Sequence, residues 1–198
     1  MFNKFLNMKN LILLIIFLFF ISCKHPVYKE PHIIIKTNYG NIELELYPGK
    51  APKSVAAFLS NISAGYYNKS AFYRVLKADE LPNDNNTGLI QGGIYMSGKN
   101  IQVAGIEHES TKITGLSHTN GTISFARKAA GTASTEFFIC IGDQSPLDAG
   151  RSGTEDGLGM AAFGKVFKGM DVVKTIQAQE SHGDAFDKKI EITVIEKL

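Results

Sequence analysis

Cysteine is scarce in this chain of 198 residues, which has only Cys23 and Cys140. Two cysteines cannot build a disulfide framework, so a small disulfide-stapled fold is excluded. Cys140 lies within the apolar run 137–141, an environment typical of a small buried side chain rather than of a nucleophile. The length and the 44% hydrophobic fraction are sufficient for one domain with its own core.

Charge of one sign is not concentrated anywhere in the chain. The formal net charge is +2, there is no run of five like charges, and no basic stripe is interleaved with aromatic residues. Nucleic acid is therefore not expected as a partner.

Metal and nucleotide signatures are also missing. The five histidines are scattered, and His108-Glu109 lacks a second histidine four residues after the first. The glycine-containing stretch 159–165 is followed by Val166 rather than by serine or threonine, and it alternates like a strand. We therefore expect neither a metal nor a cofactor.

The N-terminus carries the longest apolar run, residues 11–21, which is shorter than the ~20 residues that a membrane-spanning helix needs. A basic start with Lys4 and Lys9 and the small Ser22 after the run are typical of a secretory signal. The cysteine that follows resembles the end of a bacterial lipoprotein box, although Phe20 stands where leucine is usual.

We therefore predict a signal peptide over residues 1–22, a lipidated Cys23 that begins a short polar tether over residues 23–31, and one domain over residues 32–198. The alternative is an uncleaved anchor helix that extends back through Phe5. Both interpretations place the domain outside the cytoplasm and tether it to a membrane. Lipidation indicates a bacterial cell envelope, with the domain facing the periplasm.

Short strands separated by glycine-, asparagine- and aspartate-rich turns dominate the rest of the chain. Residues 42–47 alternate strictly and form a predicted hairpin with residues 32–37. Two helices are predicted, over residues 52–65 and 170–177. The other predicted strands are 71–76, 89–95, 122–126, 135–141, 160–167 and 189–197. Many strands, two helices and no βαβ rhythm favour a mainly β fold, a closed antiparallel barrel.

Three strand-like segments each contribute a polar or aromatic residue, with no nucleophile or metal ligand beside it. They are Phe72-Tyr73-Arg74-Val75, Gln91-Gly92-Gly93 and Glu136-Phe137-Phe138. In this order they resemble the cyclophilin family of peptidyl-prolyl cis-trans isomerases, over about residues 32–198. The resemblance implies a closed eight-stranded antiparallel barrel capped by two helices, a cofactor-free isomerase, and proline-containing polypeptides as partners.

Proline isomerisation can be accelerated by positioning and polarisation alone. The partial double-bond character of the amide sets a barrier of ~18–20 kcal/mol. In the twisted transition state the proline nitrogen gains a lone pair, which a fixed cation or N–H donor stabilises better than it stabilises either planar ground state. The chemistry therefore needs a guanidinium, an aromatic pocket, and polar groups that hold the peptide backbone.

The resemblance assigns roles to the matching residues. Arg74 is the catalytic guanidinium, Gln91 binds the substrate and orients the arginine, and Phe138 is the floor of the proline pocket. Strand alternation places Phe72 on the same face as Arg74, so we predict that Phe72 contacts the substrate as well. The other predicted substrate-binding residues are Ala126, Glu136 and Leu147.

Four residues depart from the family pattern. Glu136 replaces a glutamine, Pro146 a tryptophan, Met160 a histidine and Arg127 an asparagine. A carboxylate near Arg74 could form an ion pair that steadies the guanidinium or partly quenches it. Because the arginine, the pocket phenylalanine and the first glutamine all remain, we expect an active enzyme.

The largest departure is an insertion, residues 77–88, between Arg74 and Gln91. Gly88 stands where an aromatic wall of the proline pocket is expected. The asparagine and aspartate content of the insertion favours a solvated surface loop. The alternative is a flap over the groove that alters the choice of substrate.

We therefore predict a membrane-tethered, monomeric isomerase that assists the folding of extracytoplasmic proteins, in which slow proline steps limit the rate. One alternative is a weakly active chaperone or proline-peptide-binding module with the same fold. A second alternative is a lipid-anchored barrel that carries a small apolar ligand or has a structural role.

Overall fold

The computed structural model describes residues 28–77 and 87–198. The predicted signal peptide, the predicted lipidation site Cys23 and residues 78–86 of the insertion lie outside the described residues, and what concerns them stays a prediction. In the described part, no helix combines the length and the apolar character that a membrane span requires.

Nine strands and three α-helices are found in the described residues. The strands are β1 (His32–Thr37), β2 (Gly40–Leu46), β3 (Ser70–Lys77), β4 (Gly88–Gly93), β5 (Thr122–Phe125), β6 (Phe137–Ile141), β7 (Ala161–Lys168), β8 (Ser181–His182) and β9 (Ala185–Lys197). The helices are α1 (Pro52–Ser63), α2 (Thr111–Thr114) and α3 (Met170–Gln177). Every predicted strand and helix is present. The four-residue α2 and the two-residue β8 are additions that the sequence pattern does not predict.

Eight strands close into a barrel in the order β1-β2-β7-β5-β6-β4-β3-β9, and β9 returns to pair with β1. Each of these pairings is antiparallel. The short β8 pairs with the first residues of β9 and adds no strand to the ring. The predicted closed eight-stranded antiparallel barrel is confirmed.

A carboxylate from a distant loop caps helix α1. Pro52 begins the helix, where its missing N–H is harmless, but Ala51 before it offers no side-chain cap. Instead Glu109 accepts hydrogen bonds from the backbone N–H groups of Lys53 and Ser54, at 3.0 and 2.7 Å. These donors would otherwise lack partners, so Glu109 fixes the start of the helix. Helix α1 packs against β7 and β9, and α3 packs against β2 and β4.

Aromatic side chains fill the interior of the described barrel. The ring of Phe58, on α1, lies 5.0 Å from that of Phe163 and 5.5 Å from that of Phe137, and Phe125 lies 4.7 Å from Phe163. All four are fully buried. Such close packing leaves no room for a carried ligand. The ligand-carrying form of the second alternative function is therefore excluded.

Strands β4 and β6 carry different side chains on their two faces, because alternate residues point to opposite sides. The side chains of the interior are Ile90, Phe137 and Ile139. Those on the outer wall, called the outer cluster below, are Leu89, Phe138 and Cys140. Burial raises the pKa of Cys140, which confirms it as a small buried side chain rather than a reactive thiol.

Candidate active site

A groove of about 620 Å³ lies over the outer cluster. Three of its residues form a row across neighbouring strands: Arg74 pairs with Gln91, and Gln91 pairs with Phe138. Residues paired in this way face the same side of a sheet, and adjacent strands are about 4.8 Å apart. The fold therefore brings the predicted guanidinium, amide and aromatic floor together. The other predicted residues that line the groove are Ala126, Glu136 and Leu147.

Phe72 does not line this groove, so the prediction that it contacts the substrate is wrong. The pairing of β3 with β4 shifts between Phe72 and Arg74, which leaves Tyr73 as the extra residue of a β-bulge. Phe72 then faces the interior, where it is fully buried and its ring lies 5.9 Å from that of Phe137. Tyr73 and Arg74 both face the groove. Simple alternation could not reveal the extra residue.

The guanidinium of Arg74 is held at two points. Nη1 donates a hydrogen bond to Oε1 of Gln91 at 3.0 Å, which is the orienting contact that the resemblance implies. Nε donates to Oδ2 of Asp184 at 2.7 Å, from the turn between β8 and β9. The hydrogen bond and the positive charge of Arg74 lower the pKa of Asp184. Sequence reasoning missed Asp184, and no local pattern marks it, because 110 residues separate the two partners.

Glu136 does not form the ion pair with Arg74 that its charge would allow. Its Oε1 accepts hydrogen bonds from the backbone N–H groups of Ile94 and Tyr95, at 2.9 and 3.1 Å. Its Oε2 accepts one from the hydroxyl of Tyr73 at 2.8 Å. Burial raises the pKa of Glu136, although these hydrogen bonds work in the opposite direction.

Gly93 makes room for the Glu136 carboxylate. Its φ of +149° is one that residues with a side chain rarely adopt, and a Cβ there would lie only 2.5 Å from Cδ of Glu136. Gly93, the second glycine of the Gln-Gly-Gly segment, is therefore required both by its backbone conformation and by the close approach of the Glu136 carboxylate. This explains why a glycine stands two residues after Gln91.

Tyr73 is the second residue that sequence reasoning missed. Its hydroxyl donates to Glu136 and accepts a hydrogen bond from Nε2 of Gln91, also at 2.8 Å. Burial and the neighbouring carboxylate raise the pKa of Tyr73, so the hydroxyl keeps its proton. Its position directly before the arginine was visible in the sequence, but the bulge that turns it into the groove was not.

A buried histidine supports the aromatic floor. The ring of His118 stacks on that of Phe138, with 5.9 Å between the centroids and 18° between the planes. His118 also contacts Asp148 through Nδ1 at 2.6 Å and Ser124 through Nε2 at 3.0 Å. Burial lowers the pKa of His118 despite the neighbouring Asp148. This order of residues resembles a hydrolytic triad, but Ser124 is fully buried and no substrate can reach its hydroxyl.

One wall of the groove is a loop tied down by Arg127. Leu147 and Met160 belong to this wall, and the N–H of Met160 donates to the carbonyl of Leu147 at 2.9 Å. Arg127 binds both carboxylate oxygens of Asp156, at 2.7 and 2.9 Å, and its Nε donates to the carbonyl of Gly159 at 3.0 Å. The side chain of Arg127 is 2% exposed. The replacement of the family's asparagine by arginine thus anchors the wall.

The insertion leaves the barrel at one corner of the groove. A Cβ at Gly88 would overlap the carbonyl oxygen of Leu76, so no aromatic wall can be built at that position. Nε2 of Gln177 donates to the carbonyls of Leu76 and Thr87, at 3.0 and 3.3 Å, and so bridges the two ends of the insertion. The flap hypothesis for residues 78–86 stays a prediction, since they lie outside the described residues.

Comparison with known proteins identifies one family. The model of the cyclophilin-type peptidyl-prolyl cis-trans isomerases matches residues 32–197. A peptidyl-prolyl cis-trans isomerase of Acinetobacter baylyi is 38% identical over 143 residues, which cover 72% of this chain and 69% of the relative. Peptidyl-prolyl cis-trans isomerase A of Dickeya dadantii is 35% identical over 146 residues, which cover 73% of this chain and 70% of the relative.

Solved structures show the same fold. The crystal structure of a cyclophilin-type isomerase of Cryptosporidium parvum has a TM-score of 0.67 at 22% identity, and covers 85% of this chain and 98% of that one. The structure of the same protein crystallised in the presence of the dipeptide Ala-Pro has a TM-score of 0.64 at 23% identity, and covers 83% of this chain and 96% of that one.

Proposed function

This chain belongs to the cyclophilin-type peptidyl-prolyl cis-trans isomerases, and we propose that its groove accelerates Xaa-Pro isomerisation in proteins that fold outside the cytoplasm. The observation that carries the proposal is the row of Arg74, Gln91 and Phe138 across three neighbouring strands. Two strand spacings separate the ends of the row, about 10 Å, so one Xaa-Pro unit can contact both the guanidinium and the aromatic floor.

Arg74 supplies the polarising group. Two of the five N–H groups of its guanidinium donate to Gln91 and Asp184. Within the described residues no protein acceptor binds Nη2, which leaves its N–H groups for the substrate. As the amide twists, the proline nitrogen becomes a better acceptor, and a fixed N–H donor beside it stabilises the transition state more than the planar ground states.

Phe138 supplies the surface on which the proline ring rests. Phe138 lines the groove, its ring stacks on that of His118, and it packs with Leu89 and Cys140 in the outer cluster. A floor packed on three sides cannot move aside, so it holds the proline while the preceding residue rotates. No nucleophile, metal or proton transfer enters this sequence of events.

An isomerase assay on a short Xaa-Pro peptide tests the proposal. We expect Arg74→Ala to lower kcat/KM by about 100-fold, the loss typical of a donor that acts on developing charge. Arg151→Ala is the matched control, because Arg151 is exposed and lies outside the groove. Activity that survives Arg74→Ala at the level of the control would contradict the assignment of Arg74.

A second candidate is a proline-peptide-binding module with little turnover. It is favoured by Asp184, whose carboxylate lies 2.7 Å from the guanidinium and reduces its positive potential. The two candidates differ in one measurable respect. A binding module would bind the peptide in an NMR titration, but it would exchange the cis and trans isomers no faster than the Arg74→Ala variant does. We favour the isomerase, because Nη2 points to no carboxylate among the described residues.

We further propose that the protein works as a lipid-anchored monomer of a bacterial envelope. The support is the basic, apolar and small-residue pattern that ends at Cys23. Labelling with radioactive palmitate should modify the wild-type chain and not Cys23→Ser, and cell fractionation should then move Cys23→Ser out of the membrane fraction. Light scattering of the purified protein tests the monomer. Equal labelling of both chains would contradict the anchor.

A further inference from the structure

Three consecutive hydrogen bonds lead from Nη1 of Arg74 to the carboxylate of Glu136, and all three have the same donor-to-acceptor direction. Arg74 donates to Oε1 of Gln91, Nε2 of Gln91 donates to the hydroxyl of Tyr73, and that hydroxyl donates to Oε2 of Glu136. The three bonds measure 3.0, 2.8 and 2.8 Å. Every link thus uses one donor and one acceptor, and the last acceptor is a carboxylate.

The two ends of this chain of bonds fix its direction. A guanidinium has no acceptor, so the atom of Gln91 that faces Arg74 has to be oxygen. When Glu136 is ionised it has no donor, so Tyr73 then points its proton at Glu136 and offers a lone pair to Gln91. The amide of Gln91 satisfies both demands in a single orientation. Three further donors, the N–H groups of Ile94 and Tyr95 and the hydroxyl of Thr135, hold the carboxylate itself.

We propose that Glu136 is a positioning residue for Arg74, which it orients through Tyr73 and Gln91 without touching it. The inference rests on the proposed role of Arg74 in isomerisation. It also gives a reason for the carboxylate at a position where the family has glutamine, because a terminal acceptor without any donor enforces the orientation of the Gln91 amide.

An amide at position 136 would remove that enforcement. The Oε1 site is surrounded by donors, so the oxygen of a glutamine would occupy it and its NH2 group would face Tyr73. Tyr73 would then accept from residue 136, and its own proton would have to find another acceptor. The other hydrogen-bond partner of the hydroxyl is the amide of Gln91, whose oxygen it reaches only if the amide turns and presents its NH2 group to Arg74. Two donors would then face each other.

Two substitutions in the full-length protein test the proposal. Tyr73→Phe removes the middle link and keeps the ring, and Glu136→Gln changes the terminal acceptor with almost no change in shape. We expect each to lower kcat/KM about three- to tenfold, the effect of one lost or misdirected hydrogen bond. Peptide affinity should change less than twofold, because the apolar floor is untouched. The kcat/KM of the double variant should be no lower than that of the less active single variant, since both substitutions act through Gln91.

Tyr39→Phe is the matched control. Its hydroxyl also donates to a glutamine, Gln179, at 2.9 Å, but outside the groove. NMR of the side-chain amides gives an independent readout: the Nε2 signals of Gln91 should shift in Tyr73→Phe and in Glu136→Gln and stay unchanged in Tyr39→Phe. A structural role alone would not confine the shift in this way.

Failure of the inference differs from failure of the proposed function. If Arg74→Ala inactivates the enzyme while Tyr73→Phe and Glu136→Gln retain wild-type activity, the positioning role of Glu136 is overturned and the isomerase assignment stands. Losses that add in the double variant also overturn it. If Arg74→Ala itself retains activity, both are overturned.

Discussion

Nε of Arg74 lies 2.7 Å from Oδ2 of Asp184, and the two residues come from different hairpins of the barrel. Both side chains are partly exposed, 38% for Arg74 and 57% for Asp184, so water and salt weaken their attraction. The contact nevertheless restricts the rotation of the guanidinium, because it holds Nε while Gln91 holds Nη1. A substitution of Asp184, in the turn between β8 and β9, measures how much this restriction contributes to catalysis.

We expect Asp184→Ala to lower kcat/KM by about two- to fivefold, because an exposed ion pair contributes little but orients Arg74 here. The loss should shrink at high salt, where the wild-type pair is already screened. The isomerase assay at two salt concentrations measures this. Asp187→Ala is the control, since Asp187 lies in the same hairpin but contacts His182 at 2.6 Å. A gain in activity on removal of Asp184 would show that the carboxylate quenches Arg74.

Stability should depend on pH through Glu136. Burial raises its pKa, so the folded protein keeps this proton to higher pH than the unfolded chain does. The stability that this group contributes is therefore fully present below the unfolded pKa and is lost as the pH rises through the folded pKa. Because Glu136→Gln cannot ionise, its free energy of unfolding relative to wild type should increase as the pH rises above the unfolded pKa of glutamate, about 4.3, and through the folded pKa of Glu136. Urea unfolding at several pH values measures the difference.

Taken with the positioning role, Glu136→Gln should have a lower activity than wild type, and its stability relative to wild type should rise with pH. Other carboxylates whose pKa values are lowered, such as Asp148, are present in both proteins and cancel in the comparison. A stability difference that is constant with pH would contradict the prediction.

Arg127→Ala should loosen the wall that carries Leu147 and Met160. The buried guanidinium loses both bonds to Asp156 and its bond to the carbonyl of Gly159. We expect the Tm to fall by at least about 5 °C and peptide affinity to weaken, since the hydrogen bonds of a buried side chain are lost and the wall is no longer anchored. Thermal unfolding and peptide titration measure the two effects. Arg151→Ala, an exposed change in the same loop, should alter neither.

Glu109→Ala should destabilise the protein without changing catalysis. It removes the carboxylate that binds the N–H groups of Lys53 and Ser54 at the start of α1. A lost helix cap costs about 1–2 kcal/mol, which chemical unfolding can resolve. The control is Glu107→Ala, because the side chain of Glu107 is 73% exposed and forms an ion pair with Lys53 rather than a cap on the helix. A kcat/KM that fell with stability would show that the loop also reaches the groove.

Gly93→Ala should lower both stability and activity, because the new Cβ would collide with the carboxylate of Glu136. Gly98→Ala is the matched control. The φ of Gly98, +72°, is also unfavourable for alanine, but nothing lies within 4 Å of the added Cβ. Isomerase assays and unfolding curves on both variants separate the collision from the backbone strain. Equal losses in the two variants would mean that the close approach to Glu136 is unimportant.

The pattern of short strands and turns predicted the closed barrel. The family resemblance, which depends on the order of motifs along the chain, predicted the row of Arg74, Gln91 and Phe138. Neither could predict the contacts that depend on distant backbone. The bulge at Tyr73 is set by pairing with β4 and β9. Likewise, the N–H groups that hold Glu136 belong to a turn more than 40 residues earlier. The sequence could therefore suggest an ion pair between Glu136 and Arg74, whereas in the fold the carboxylate binds these N–H groups instead.

Gln177 holds the two ends of the insertion together. One amide on α3 binds the carbonyls of Leu76 and Thr87, so the barrel itself holds the two points between which the extra residues run. The register of β3 against β4 then does not depend on what is inserted there. Because the entropic cost of closing a loop grows only slowly with its length, segments of other lengths can be exchanged at this site. The length and sequence of this segment can thus change while the barrel keeps its anchoring contacts, in evolution and in the laboratory.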